Sequence, residues 1–183
     1  MMKRGNTCSI TSFLSIGLYG APMKKVKLSE RLRKIADYID DSDAVADIGT
    51  DHGYMPVHLA QVNPNRCIIA SDISDGSLQA ARKSALIYNV SEAITFVVAD
   101  GLSGVLPECI DTVVISGLGG ETIVSILEKA PWTKDENMKL ILQPQSKIDV
   151  LCRYLYDNAY KINETKVIRD RNKTYTILVI CND

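Results

Sequence analysis

A chain of 183 residues, 46% apolar and 23% charged, has the balance of one globular domain with a sizeable core and excludes collagenous, coiled-coil and wholly disordered classes. A net charge of -1 and a pI near 6.1 exclude wholesale wrapping of nucleic acid, while leaving room for a local basic patch. Five cysteines (Cys8, Cys67, Cys109, Cys152 and Cys181) include no C-x-x-C pair, so neither a zinc site nor a disulfide framework is expected, and a reducing, cytoplasmic compartment fits.

Residues 1–22 differ in character from the rest of the chain. Lys3 and Arg4 precede an apolar stretch, Ile10 to Pro22, that Ser, Thr and Gly interrupt. A secretory signal is one reading, and a disordered extension ahead of a true start at Met23 is the one adopted. The expected domain is therefore 23–183. No run is long enough to span a membrane.

From Leu28 the pattern alternates between helical and strand periods. Leu28, Leu32, Ile35, Ala36 and Ile39 predict an amphipathic helix over 29–40, with Ser29 as its N-cap. Ala44 to Ile48 is a short buried strand, and 56–62 is a helix with Pro56 in its first turn. Cys67 to Ile73 is a second strand, which makes Cys67, like Cys181 later, a small core residue. Ser74 caps a helix to about Tyr88. Strands follow at 94–99 and 112–116, a helix at 121–129, a strand at 140–143 and a helix at 148–158. Strands at 161–168 and 174–181 flank the polar turn 170–173 and read as a hairpin. The expected fold is a doubly wound α/β domain with a mainly parallel seven-stranded sheet and an antiparallel terminal hairpin that adds one antiparallel strand at the edge.

In such folds ligands bind at the carboxyl ends of the strands. After the first strand stands Asp47-Ile48-Gly49-Thr50-Asp51-His52-Gly53, a D-x-G-x-D-x-G pattern. Gly49 permits a tight turn, and the following helix end turns its amides toward a ligand. Asp51 occupies the place of the second glycine in a dinucleotide fingerprint. A carboxylate there repels a pyrophosphate and suits a cation such as the ammonium or sulfonium of S-adenosylmethionine. The second strand ends in Asp72 and Ile73, where an acid can accept both ribose hydroxyls of a nucleoside. The third ends in Asp100-Gly101, where an acid can accept an adenine amino group. The fourth runs into Ser116-Gly117-Leu118-Gly119-Gly120, bare backbone suited to a reacting methyl group and its acceptor. The fifth ends in Gln143-Pro144-Gln145, two amides that read a base edge or simply make a turn. His52 and His58 are too few and too far apart for a metal site, and none is expected.

Leu28-Ser29-x-Arg31-Leu32, Asp47 to Pro56, Ala99-Asp100-Gly101-Leu102, Ser116 to Gly120 and Leu142-Gln143-Pro144-Gln145 occur in this order. Together they resemble the bacterial tRNA (adenine-22-N1)-methyltransferase family, from about Met23 to the end of the chain. The resemblance implies a Rossmann-like methyltransferase fold, S-adenosyl-L-methionine as cofactor, and tRNA as the partner that receives a methyl group on N1 of an adenine. It places Asp47, Gly49, Asp51 and His52 on the methionine side, Asp72 with Ile73 at the ribose, and Asp100 with Gly101 at the adenine. Ser116, Gly117, Leu118 and Gly119 would face the target base, with Ser116 and Gly117 also touching the cofactor. Arg31 would close over the site from the first helix. No general base is identified.

Two departures qualify the resemblance. Family members continue into a C-terminal helical domain, whereas this sequence stops at Asp183, and the pI is not basic. Two local basic groups are candidates for phosphate contact: Lys24, Lys25, Lys27, Arg31, Arg33 and Lys34, and Lys161, Lys166, Arg169, Arg171 and Lys173. Solubility is the alternative reading of both groups. A cytoplasmic monomer is expected. The competing functions are a cofactor- or RNA-binding remnant without turnover, a methyltransferase for another substrate, and a nicotinamide-dependent oxidoreductase, which Asp51 argues against.

Overall fold

The computed structural model describes residues 24–181. The expected extension and the Met23 start lie outside them. Seven strands form one sheet: β1 (Val45–Ile48), β2 (Ile68–Asp72), β3 (Thr95–Val98), β4 (Thr112–Gly119), β5 (Lys139–Ser146), β6 (Ile162–Asp170) and β7 (Lys173–Cys181). The helices are α1 (Glu30–Ala36), α2 (Tyr54–Val62), α3 (Asp75–Ile87), α4 (Gly120–Glu128) and α5 (Ile148–Asp157). The segment 101–111 holds a short 3-10 turn at Pro107–Cys109.

The sheet order is β3-β2-β1-β4-β5-β7-β6. The reversal falls between β1 and β4, whose carboxyl ends therefore diverge and open a crevice. Five strands pair in parallel, and β7 runs antiparallel to both neighbours. The terminal hairpin is as expected, but the antiparallel strand is not the edge strand. Strand β7 is inserted beside β5, and β6 forms the edge, parallel to the main sheet. Burial explains this order: Ile177 to Ile180 are buried, whereas most of β6 is exposed. The more apolar strand takes the inner place.

Strand periodicity sorts the core onto two faces. Val45, Val114, Ile141, Ile177 and Val179 face α1, α2 and α3 through Ile35, Met55, Val57 and Ala85. Ala46, Ile48, Val113, Ile115, Leu140 and Leu142 face α4 and α5 through Ile123, Leu127, Leu151 and Leu155. Both faces of the parallel strands are covered, which is why those strands read as continuous apolar runs.

Three expectations change. The first helix is shorter than 29–40, because after Ala36 the chain tightens into turns, Tyr38 and Ile39 donating to the carbonyls of Ile35 and Ala36. Ile39 is buried nonetheless, so the apolar spacing was real while the helix was not continuous. The fourth and fifth strands run past 116 and 143 to Gly119 and Ser146, with register shifts around Leu118. The glycine segment is thus irregular strand rather than free loop. Cys67 is exposed, just before β2, and is not a core residue. Ser29 and Ser74 cap α1 and α3 as expected, accepting from the amides of Leu32 and Ser77. No helix among the described residues is long and apolar enough to cross a membrane.

Candidate active site

The turn from β1 to α2 forms the floor of the crevice. Gly49, Asp51 and Gly53 have φ of 74°, 50° and 69°. Aspartate tolerates that region better than most side chains. The turn is tied to the neighbouring strand, with the amides of Gly49 and Thr50 donating to the Ser71 carbonyl at 2.8 and 3.1 Å. Gly53 is required twice over: besides its φ, a Cβ there would come within 2.7 Å of the Ala81 Cβ on α3. That contact sets the close packing of α2 on α3 and aims the first turn of α2 into the crevice.

Asp47 is buried at the end of β1, where it accepts the Thr50 hydroxyl at 2.7 Å. Burial pushes its carboxyl up to about 6, although the Thr50 hydrogen bond and the Arg31 charge oppose the rise. Asp72, at the end of β2, accepts the Asp51 amide at 3.3 Å and the Ser74 amide at 2.9 Å through its two oxygens. Each carboxylate at a strand end is thus positioned by backbone or hydroxyl donors from the adjoining turn. His52 pairs through Nδ1 with Asp51 at 2.9 Å and stacks on Tyr54 with ring centroids 5.8 Å apart.

Arg31 reaches in from α1. Its Nη1 donates to Gln143 Oε1 at 2.7 Å and to Ser116 Oγ at 3.3 Å, and its guanidinium lies 5.5 Å from the centre of the Tyr175 ring. Its backbone amide donates to Asp170 Oδ2 at 3.1 Å. One residue therefore joins α1 to β4, β5 and the β6–β7 hairpin.

These elements enclose a cleft of about 320 Å³. Of the residues singled out from sequence, Arg31, Asp47, Gly49, Asp51, His52, Asp72, Ser116, Gly117 and Leu118 line it. Ile73, Asp100, Gly101 and Gly119 lie outside that lining. Ile73 is exposed, and Asp100 accepts the Lys129 ammonium at 2.6 Å. Gly101 has φ 59° and packs against Ile126, with its carbonyl accepting the Ser71 hydroxyl at 3.4 Å. Thr50, Leu32, Tyr54, Met55 and Gln145 complete the wall. Leu32, Thr50, Tyr54 and Met55 stand in the motifs that carry the resemblance, but the sequence assigns them no role at the site. Of the two amides near the end of β5, Gln143 is buried and holds Arg31, while Gln145 reaches the cleft. A larger, open hollow of about 550 Å³ between Pro64, Leu86 and Ala93 lies at the opposite end of the sheet, and Glu92 is its only acidic or basic wall residue. The chemistry converges on the smaller one. Among the described residues no group of three or more His, Cys, Asp and Glu side chains is placed to hold a metal ion.

Residues 28–178 match a methyltransferase domain family. The chain is 31% identical over 157 residues to the tRNA (adenine(22)-N(1))-methyltransferase of Bacillus subtilis, covering 86% of this chain and 66% of that protein, so it spans just under two thirds of the relative's length. The crystal structure of the B. subtilis tRNA methyltransferase TrmK superposes with a TM-score of 0.80 at 30% identity, covering 86% of this chain and 68% of that one. The chain belongs to the tRNA (adenine-22-N1)-methyltransferase family. Within that family, M. capricolum TrmK in complex with the cofactor product S-adenosyl-homocysteine is 31% identical with a TM-score of 0.75, covering 85% and 69% of the two chains. The family resemblance drawn from the motifs, with the Rossmann-like fold it implies, and the doubly wound sheet drawn from periodicity both stand.

Proposed function

We propose that the chain binds S-adenosyl-L-methionine in the cleft over β1, β2 and β4 and directs its methyl group to N1 of an adenine in tRNA. The observation that carries this reading is the cleft itself: Asp47, Asp51 and Asp72 line one side, and the sparsely covered backbone of Ser116–Leu118 lines the other. Three acids beside a left-handed glycine turn suit a ligand bearing an ammonium and a sulfonium, and they oppose a pyrophosphate. The bound cofactor supplies an activated methyl group on a positively charged sulfur.

The protein's residues position and orient. Asp72 is held by two backbone amides, so its oxygens are fixed for hydroxyl donors. Gly117, at φ 84°, presents backbone without a side chain, so a flat base can approach closely. Adenine N1 carries a free lone pair near neutral pH, so no base need remove a proton first. The cofactor's methyl transfer would exchange its C–S bond for a C–N bond at the purine, which would take up the positive charge. The residues' contribution is alignment. In folded tRNA the target must first leave its stack.

The test is methyl transfer from radiolabelled S-adenosylmethionine to unmodified tRNA. Label should appear with the wild type, map to N1 of an adenine, and fall by about a hundredfold or more in Asp47→Ala. Cofactor binding by calorimetry without label in tRNA would overturn the assigned substrate.

A further inference from the structure

Arg31, from one basic stretch, and Arg171 and Lys173, from another, lie more than a hundred residues apart, and the fold brings them to the same end of the sheet. Strand β6 runs parallel to the main sheet, so its end and the start of β7 share the carboxyl rim with Gly119 of β4 and Ser146 of β5. In sheet order that rim carries Lys147, then Lys173, then Arg171, with Arg31 behind them in the cleft wall. All three outer cations are exposed.

The described cations differ in whether a carboxylate holds them. Arg33, Lys34, Lys129 and Lys139 are each held by a carboxylate. Lys147, Arg171 and Lys173 form no salt bridge among the described residues. The acids Asp37, Asp40, Asp41, Asp43 and Asp111 stand at the opposite, amino end of the strands, while Glu121, Asp149 and Asp170 stand at the carboxyl end itself. The rim beside the cleft thus presents three exposed cations that no described carboxylate holds within salt-bridge distance, with Asp149 and Asp170 standing among them.

The backbone adds an independent mark. Arg171 is the first of two loop residues between the paired Asp170 and Lys173, with φ 56°, and Lys147 precedes α5 with φ 55°. Both positions favour glycine or asparagine. The chain places a long cation at each one against the preference of its own backbone.

We infer that Lys147, Arg171 and Lys173 form a docking rim for the phosphates of the RNA strand flanking the methylated base. This rests on the proposed tRNA substrate and adds where its backbone lies. Phosphate contacts fix register and orientation while leaving base choice to the cleft. Asp170 links the two, since it flanks Arg171 in the turn and holds the backbone of Arg31.

The test compares wild type with the triple variant Lys147→Gly, Arg171→Gly, Lys173→Ser, using fluorescence anisotropy with unmodified tRNA at several salt concentrations. The variant should bind tRNA at least roughly tenfold more weakly at low salt, and the slope of log K against log salt should flatten by about 2 to 3. Its melting temperature should hold or rise, because glycine relieves the left-handed positions, and its affinity for S-adenosylmethionine should not change. Weaker RNA binding without lost stability is a split that a structural role does not produce. Equal affinity and slope in variant and wild type would overturn the rim while leaving the tRNA substrate intact. A wild type that binds no tRNA would overturn both.

Discussion

At the scale of single residues, Asp47 carries the sharpest consequence. An apolar strand end would be cheaper there, since burial raises the carboxyl from 3.8 to about 6. A folded-state value above the unfolded one means that the folded protein holds its proton longer. Stability contributed by the neutral form is therefore complete below about pH 4 and is lost as pH rises through about 6, a loss on the order of 3 kcal/mol. A bound cation reverses the balance by favouring the ionised carboxylate. Cofactor affinity measured by calorimetry should thus rise between pH 5 and 7, with proton release on binding, and level off above. Asp47→Asn should flatten that profile, weaken binding by about ten- to a hundredfold, and raise the melting temperature at pH 7. A variant whose affinity keeps the wild-type pH dependence would place the titration elsewhere.

Among the elements, α1 is the one most dependent on others. Seven residues form a helix too short to persist alone. It is held by the Ser29 cap, by burial of Ile35, and by Asp170, which accepts the Arg31 amide across 139 residues of sequence. That amide holds the Asp170 carboxyl below the ordinary carboxylate range. A depressed value means that the anchor is complete at neutral pH and is lost as pH falls below about 4. Asp170→Ala should speed amide exchange in α1 by roughly five- to tenfold at pH 7 while leaving exchange in β4 unchanged. Because Arg31 then loses its fixed approach to Gln143 and Ser116, methyl transfer should fall more than cofactor affinity does. Unaltered exchange in α1 would show that the cap and Ile35 suffice.

Across the molecule as a unit, the two cores are the two sides of one sheet, so neither helical layer can loosen without the other. Leu142 illustrates this: it is fully buried under α4 and α5, while its neighbour Ile141 points to the opposite layer. Leu142→Ala should cost about 2–5 kcal/mol. The loss should appear as one shifted transition by both circular dichroism and tryptophan fluorescence, since Trp132 packs on the same cluster. Two separate transitions would show that the layers unfold independently.

The alternation of strands and helices, the caps at Ser29 and Ser74, and the turn after β1 were all legible along the chain. Each of these is a local matter: apolar period, a hydroxyl before a helix, glycines where φ must be positive. Carboxylates at successive strand ends were legible too, because in a parallel sheet each strand's last residue is a position readable from the run that precedes it. How far each of those residues lies from the cleft was settled by packing in three dimensions. Asp47 and Asp72 line it, whereas Asp100, alike in sequence, stands outside and pairs with Lys129. Only the fold could put β7 inside and β6 at the edge, since sheet order depends on which strand buries more apolar surface against both helical layers. The Arg31–Asp170 and Arg31–Gln143 contacts span 139 and 112 residues, and no local pattern encodes a contact between side chains so far apart. The basic rim follows from the same cause: charge is read along the chain one residue at a time, while a surface is assembled from whichever segments the sheet brings to one side.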